Sequence, residues 1–446
     1  MDDAVNIIQK TIEDKINTDF KEYALYTINN RAIPSAIDGL KPVQRKLLYS
    51  LIQYPNSRKN KIKLSEVGGG LAKFNFHHGE SSATSAAVNM AQEWANNIPL
   101  FKGHGNFGSR KIQESAAARY IFCTLSDSFD RYFTDTQVCP PSEDPEDPEP
   151  KFYLPIIPWV LVNGIRGIAV GFATNILPRD PAELVNLTKK VIRNKKCDIG
   201  LVYPKFPDFN GTVEHVEGLT WKIQGIIQDE GTYFYRITEV PYGEDRAGYV
   251  SILNELCDKN IIQDYDDLCS DKGFEFLVKV SKAQKEEIKA KDPIKVFKLE
   301  RQVTENLTMI GHDGKIKIFD DIESVIKYFV EYRVTKVAEG IALDISKLEH
   351  RLNVAEDKMK FIKACIDGKV KFGSVKKQEL LDFIEKNITS EEYGRDFVNI
   401  PIYNLTEDMV SALELSVDTM VFELSKLREE TPEHRYLEML KLTQKS

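Results

Sequence analysis

"ESAAARYIF", residues 114 to 122, decides how the chain is read. Three alanines run straight into Arg119 and Tyr120, then into Ile121 and Phe122. One reading is a short helix with its aromatic in the core. The other makes Tyr120 a nucleophile and Arg119 the holder of the anion it attacks. An ordinary phenol has a pKa near ~10, so on the order of 0.1% is ionised at pH 7. Such a group must lose its proton locally before it attacks phosphorus. It is also a fair leaving group, so a phosphotyrosyl ester forms reversibly. A guanidinium beside it offers paired hydrogen bonds to phosphoryl oxygens as negative charge builds. An isolated Arg-Tyr pair is more often an ordinary surface or core pair, so the surroundings must choose.

The 446 residues are enough for two to four domains, and 42% hydrophobic with 29% charged residues fits a globular protein. No apolar run reaches the length of a membrane span. The six cysteines (123, 139, 197, 257, 269 and 365) are scattered, with no CxxC pair. That pattern argues against a zinc site or a disulfide framework and for a reduced, cytoplasmic protein. Net charge is −8, which alone argues against nucleic acid. Its distribution argues the other way: Arg31 to Arg119 holds thirteen Lys/Arg against five Asp/Glu, a local +8. An anionic polymer, if one binds, binds there.

Residues from about 20 to 133 read as short helices broken at "VGGGLAKF" and "KGHGNFGS". "SSATSAAVNMAQEWANNI" has helical periodicity, with Ser81 or Ser82 as its N-cap. "CPPSEDPEDPEP" (139 to 150) carries five prolines and five acids and reads as a solvated connector. From about 152 to 320, "FYLPIIPWVLVNG", "GTYFYRITEVPYG" and "FEFLVKVSK" read as strands and "AGYVSILNELCDKN" as a helix. "DYDDLCSD" (264 to 271) reads as an exposed loop. The last region is long helix. Val334, Ala338, Ile341, Ile345, Leu348, Leu352, Ala355, Met359, Ile362 and Ile366 step by 4 and 3 throughout, a heptad seam stopped at Gly368. Its 33 residues span roughly 50 Å. A second seam runs through Val410, Leu413, Val417, Met420, Leu424 and Leu427, after a capping box of Asn404 and Glu407. Antiparallel pairing of the two within the chain is the economical arrangement.

"YALYTINNRAIPSAIDGLKPVQRKLLYSL" (23 to 51), "FHHGESSATSAAVNMAQEW" (76 to 94), "GHGNFGSRKIQESAAARY" (103 to 120), "LPIIPWVLVNGIRGIAVGFATNILPRD" (154 to 180) and "ITEVPYG" (237 to 243) resemble, in order, the breakage-reunion (A-type) subunits of type II DNA topoisomerases. The resemblance covers nearly the whole chain and is strongest to the bacteriophage branch. "HHGE" and "YLPIIPWVLVNG" look nearer to the eukaryotic enzymes than to gyrase. The resemblance implies an α+β fold: a winged-helix DNA-cleavage domain (1–138), an acidic Pro-rich linker (139–151), a mixed α/β tower (152–325), and an antiparallel coiled-coil arm with a dimerisation gate (326–446). The gate itself falls at about 369 to 409.

By the same resemblance Tyr120 is the nucleophile, Arg119 and Arg31 lie at the scissile phosphate, and His77 or His78 helps move the tyrosine proton. Lys41 and Arg45 would contact the DNA backbone. Lys73, Arg110 and Lys111 are added on charge alone. Ile168, between the glycines of "GIAVG", would wedge between base pairs and kink the duplex. Ser81 and Ser85 match positions that line the pocket for cleavage-complex poisons. No phosphate-cradling ATP signature and no paired acidic metal motif stand in the sequence. Mg²⁺ and ATP are therefore expected on a partner subunit, with no metal ligand in this chain, and no DNA-wrapping propeller is expected. The expected partners are double-stranded DNA, a second copy, and the ATPase subunit, with no membrane. The rival class is a non-catalytic DNA-binding structural protein with an inert Tyr120.

Overall fold

A computed structural model describes residues 11–76, 79–369 and 399–442, together with Ile384 and Phe397. The chain divides into two compact units, one running to Arg333 and taking the C-terminal residues from Met439, the other Val334–Glu438.

The described residues of the first unit open with a helical turn (Ile12–Lys15) and a π-helical stretch (Ile16–Phe20), followed by helix α1 (Lys21–Thr27) and the π-helical turn Ile28–Ala32. Next come α2 (Pro42–Gln53), strand β1 (Ile62–Lys63), α3 (Leu64–Gly69) and α4 (Glu80–Ala91). Pro42 opens α2, where its missing N–H costs no helical hydrogen bond, and the Gln44 side chain accepts from the Lys41 N–H at 2.9 Å. Gly79, in extended conformation, precedes α4, so neither Ser81 nor Ser82 is the N-cap. Strands β2 (Phe101–His104) and β3 (Phe122–Leu125) complete an antiparallel sheet of order β1-β3-β2. Its inner face and the helices bury Leu47, Leu51, Val67, Ala87, Phe101 and Cys123.

"FYLPIIPWVLVNG" forms no strand. Pro155 and Pro158 keep its first half irregular though buried, and α5 (Trp159–Asn163) follows. Hairpin β4 (Ile165–Ile168) and β5 (Ala173–Ile176) comes next. The remainder holds two antiparallel sheets. One contains β6 (Thr212–Glu217), β7 (Thr220–Gln224) and the later strand β12 (Glu300–Thr304), in order β12-β7-β6. The other contains β8 (Ile226–Glu230), β9 (Phe234–Glu239), β10 (Asp264–Asp267) and β11 (Phe276–Lys279), in order β10-β11-β9-β8. "DYDDLCSD" is thus an edge strand in its first half, because Tyr265 and Asp267 pair with Val278 and Phe276. Helix α6 (Arg246–Asp258) packs Tyr249 and Leu253 on Ile237, Phe276 and Phe297. Hairpin β13 (Leu307–Ile310) and β14 (Ile316–Phe319) returns toward the start of the chain, where Ile310 exchanges backbone hydrogen bonds with Pro34 and Ala36.

Helix α7 (Ile322–Ile366) ends where Gly368 takes φ 73°, and the Lys369 N–H donates to the Ala364 carbonyl at 3.0 Å. Helix α8 (Glu407–Glu429) is capped by Thr406, whose Oγ1 accepts from the Met409 N–H. The expected Asn404 box is displaced, since Ile402–Asn404 form a 3₁₀ turn. In the second unit Ile345, Leu348, Leu352 and Ala355 meet Met420, Leu424 and Leu427, which are members of the two seams. Glu349 pairs with Arg428 and Lys363 with Glu414, each at 2.7 Å. Partner numbers fall as the α7 number rises, so the two helices run antiparallel. These exposed pairs contribute little energy but mark the register. Most of the expected gate, 369 to 409, lies outside the described residues.

Candidate nucleic-acid interface

The alanines of "ESAAARYIF" do not form a helix. Residues 112–117 are irregular, 118–120 make a turn, and Tyr120 is 70% exposed. The core reading of this tyrosine is therefore excluded. Its posture follows from its neighbours. Ile121 is fully buried, and its carbonyl accepts from the Leu64 N–H at 3.1 Å. The Tyr120 N–H donates to Ala117 at 2.9 Å, and the Ala116 N–H to Asn106 at 3.0 Å. Pinning residue 121 inward sends side chain 120 outward. Glycines make the underlying loop possible. Gly105 has φ 118°, and a Cβ there would stand 2.8 Å from the Ile121 side chain. Gly108 has φ 80°, and its Cβ would meet the Gln113 carbonyl at 2.7 Å. The exposed Arg119 lays its guanidinium 5.6 Å from the Tyr120 ring centroid. A phenol and a cation thus share one solvent-facing spot.

Ile168 is placed by the same logic. Gly167 packs so closely that a Cβ would sit 2.0 Å from the Ala32 carbonyl oxygen. On its other side, Ala169 and Phe172 pack against Ile28, Ala32 and Ile33. With both flanks fastened to the segment that carries Arg31, Ile168 stands 74% exposed at the hairpin tip. So exposed a side chain adds little to the core.

Arg31 is exposed and lines a cleft of about 1270 Å³ with Lys41, Lys46, Ser82 and Ser85. Lys41 Nζ donates to the Arg166 carbonyl at 2.7 Å, and burial holds its ammonium below the usual lysine range. Leu40, Lys41, Gln44 and Asn89 also line a second cavity of about 460 Å³, which continues to Arg166 and Arg301. Among the described residues, no carboxylate lines that cavity. Lys46, Arg166 and Arg301 line these two cavities and were not singled out by sequence reading. Lys46 sits beside Arg45 and charge alone could have nominated it. Arg301 carries no local signal, because the tertiary fold alone brings it to Gly243 of the "ITEVPYG" motif, where a Cβ would lie 3.0 Å from Nη1.

Two expected DNA contacts need correction. Arg45 is buried, and its Nε and Nη2 donate to Asp38 at 2.8 and 3.1 Å, with Nη2 also reaching the Leu40 carbonyl. Asp38 accepts from the Leu40 and Tyr153 N–H groups as well, so this pair locks the turn before α2. Arg110 is buried too. It pairs with Glu239 at 2.9 Å, donates to the Asp208 carbonyl at 2.6 Å, and lies 5.2–5.4 Å from the ring centroids of Phe209, Tyr242 and Phe274. Both guanidinia are ion-paired inside the chain, although Arg45 also borders the large cleft. Lys111 reaches the Asp271 carbonyl at 3.4 Å, and Lys73 is exposed at the end of a 3₁₀ turn. Ser81 and Ser85 are exposed on α4, with Ser85 Oγ donating to the Ser81 carbonyl at 2.9 Å. Tyr120, Arg119, Ile168, Lys73, Lys111 and Ser81 do not line the large cleft. His77 and His78 lie outside the described residues.

A family model describing the A-type subunits of DNA gyrase and topoisomerase IV matches residues 31–444. The chain belongs to that family. Among its relatives, the DNA topoisomerase medium subunit of Enterobacteria phage T4 is 38% identical over 410 residues, covering 91% of this chain and 92% of that protein. The mitochondrial DNA topoisomerase 2 of Dictyostelium discoideum is 29% identical over 95% of this chain, which spans 34% of that longer protein. Among solved structures, the DNA-binding, cleavage and re-ligation domain of Plasmodium falciparum topoisomerase II superposes with a TM-score of 0.85 at 28% identity, covering 97% of this chain and 64% of that one. A fold shared over nearly the whole chain accounts for the order of the five motifs. Among the described residues, no helix is long and apolar enough to cross a membrane, and no group of three or more His, Cys, Asp or Glu is placed to hold a metal.

Proposed function

We propose that this chain is the DNA cleavage-and-religation subunit of an ATP-dependent type II topoisomerase acting in the cytoplasm. The observation that carries the reading is the exposed Tyr120, with Arg119 against its ring, in a chain matched by the family from residue 31 to residue 444. Tyr120 Oη attacks a backbone phosphorus, and the bond from phosphorus to the 3′ oxygen breaks. The phenol proton is taken up locally, the 3′ oxygen leaves as a hydroxyl, and the 5′ phosphate stays on the tyrosine. One phosphodiester replaces another, so the reverse attack reseals the strand without an external energy source. Arg119 is oriented to share the charge that builds on the phosphoryl oxygens. His77 or His78 is assigned the proton transfer.

In this reading the β1-β3-β2 sheet with α2, α3 and α4 acts as the winged-helix unit, and α4 faces the major groove. The duplex runs from Arg31 past Lys41 toward Arg166 and Arg301, and Ile168 opens a base step to bend it. Ser81 and Ser85 flank the drug-pocket position, and Lys73 and Lys111 are outlying phosphate contacts. The α7–α8 pair is the arm that carries the dimer gate, and two copies cut the two strands. Mg²⁺ and ATP are assigned to partner subunits, since the sequence carries neither a phosphate-cradling ATP signature nor a paired acidic metal motif. The test mixes the full chain with its partner subunits, Mg²⁺, ATP and plasmid, followed by detergent and protease. Linear DNA with blocked 5′ ends is expected, and Tyr120→Phe should bind DNA and give none. A covalent adduct persisting in that variant overturns the assignment.

A further inference from the structure

The acidic connector is largely exposed, but two of its acids are fastened to the body of the chain. Lys46 is buried, and its Nζ pairs with Asp147 at 2.6 Å and Glu149 at 2.7 Å while donating to the Phe74 carbonyl at 3.0 Å. Asn75 donates to Asp147 at 3.1 Å and to Asp144 at 3.3 Å. The connector is folded on itself as well. The Lys151 N–H donates to the Pro140 carbonyl at 2.9 Å, the Asp147 N–H to the Asp144 carbonyl at 3.1 Å, and Lys151 pairs with Glu143. Its carboxylates line the same cleft as Arg31, Lys41 and the α4 serines. Among the described residues, every carboxylate lining that cleft (Glu143, Asp144, Asp147 and Glu149) comes from this one stretch. The other charged residues of the lining are all cations: Arg31, Lys41, Arg45, Lys46 and Lys151.

We propose that residues 142–149 form a carboxylate strap that substitutes for DNA phosphate, holding Lys46 until a duplex displaces Asp144 and Asp147. The inference rests on the DNA reading above and adds to it an internal competitor. A cleft built for phosphate but left open would capture any polyanion. A tethered carboxylate pair lowers that background, because only a ligand offering several correctly spaced phosphates displaces it. Glu149, the deeper of the two Lys46 partners, keeps the lysine anchored during the exchange. Asp147, which is more accessible, is the one that leaves.

The test is the double variant Asp144→Asn with Asp147→Asn, in the full chain. Asparagine keeps an acceptor for Asn75 and for the turn while removing the charge. Duplex binding is followed by fluorescence anisotropy across a salt series. In the wild type, the cation that DNA gives up at Lys46 is taken up by the displaced carboxylates, so the exchange releases little net salt. In the variant the displaced side chains are neutral, and the cation from DNA is released to the solvent. The slope of log K against log salt should therefore steepen by about one, with affinity about tenfold higher at low salt. Placing the same changes on Lys46→Gln should abolish the extra slope. A slope equal to that of the wild type, or one that steepens equally without Lys46, overturns the strap and leaves the DNA reading standing. Failure of both wild type and variant to bind duplex overturns both. Asp144→Asn alone, which touches only Asn75 and the turn, gives a second measurement of the same sign if the double variant does not fold.

Discussion

Replacing Arg110 by methionine separates a structural cation from a DNA contact. The guanidinium is buried and pairs with Glu239, which is itself 2% exposed. Methionine fills part of the volume among Phe209, Tyr242 and Phe274 but leaves Glu239 without its cation. Removing one partner of a buried pair costs about 3–5 kcal/mol. Here the low end applies, because Glu239 still accepts from the Asn210 and Val240 N–H groups, each at 3.0 Å. Loss of contact with the aromatic rings adds about 1 kcal/mol. The sum, about 4 kcal/mol, corresponds to a melting point lowered by roughly 6 °C for a unit of this size. The assay is thermal unfolding by circular dichroism, with duplex affinity measured at a temperature where both proteins are folded. Adding Glu239→Gln should recover only part of the loss, since the glutamine amide is neutral but its single oxygen can accept from one of the two backbone groups and not both. The reasoning is refuted if Arg110→Met melts like the wild type while its duplex affinity falls and the salt slope shrinks by about one, the signature of a lost phosphate contact.

The other expectations concern the site and its titrating groups. Gly167→Ala forces the hairpin off Ala32, so cleavage with the partner subunits should fall about 10²-fold while duplex affinity changes little; unchanged cleavage would detach Ile168 from the chemistry. Arg119→Lys keeps the charge but loses the paired donors, and single-turnover cleavage should drop by about 10²-fold. Burial pushes the Cys123 and Cys139 thiols up to about 12, so iodoacetamide at pH 8 should leave both unlabelled in the native protein, read by peptide mass spectrometry. Burial lowers the Lys41 pKa, so its proton leaves at a pH below the ordinary 10.5 and binding weakens as pH rises through that point. Lys41→Arg, which stays charged, should flatten the alkaline limb of an affinity–pH profile, and an unaltered limb would remove Lys41 from the interface.

Local pattern accounts for some elements and misses others. The seam positions Ile345, Leu348, Leu352, Met420 and Leu424 meet as their 3–4 spacing requires, because a helix repeats its own geometry and needs no distant partner to set which face is apolar. The stop at Gly368 is legible for the same reason, since only glycine takes that backbone angle without strain. "FYLPIIPWVLVNG" misleads because its β-branched and aromatic residues signal burial, whereas its prolines forbid the ladder that would make it a strand.

For the site, the family resemblance carried by the five motifs nominated Tyr120, Arg119, Arg31, Lys41 and Ile168, and the chemistry asked of a phenol, a guanidinium or an apolar wedge suits those side chains. What sequence could not separate was a cation offered to solvent from one consumed inside. Arg45 and Arg110 look like Arg31 and Lys41 in charge and neighbourhood, yet Asp38 and Glu239 claim them. Likewise the acids of residues 143–149 look like a solvated tether until the fold brings Lys46 to them across a hundred residues. Composition and spacing determined which groups this protein possesses and along which helices they lie. Only the tertiary structure decided which charges remain free, because the partner that neutralises a buried ion is chosen by proximity in space, and that proximity is set by packing between segments far apart in the chain.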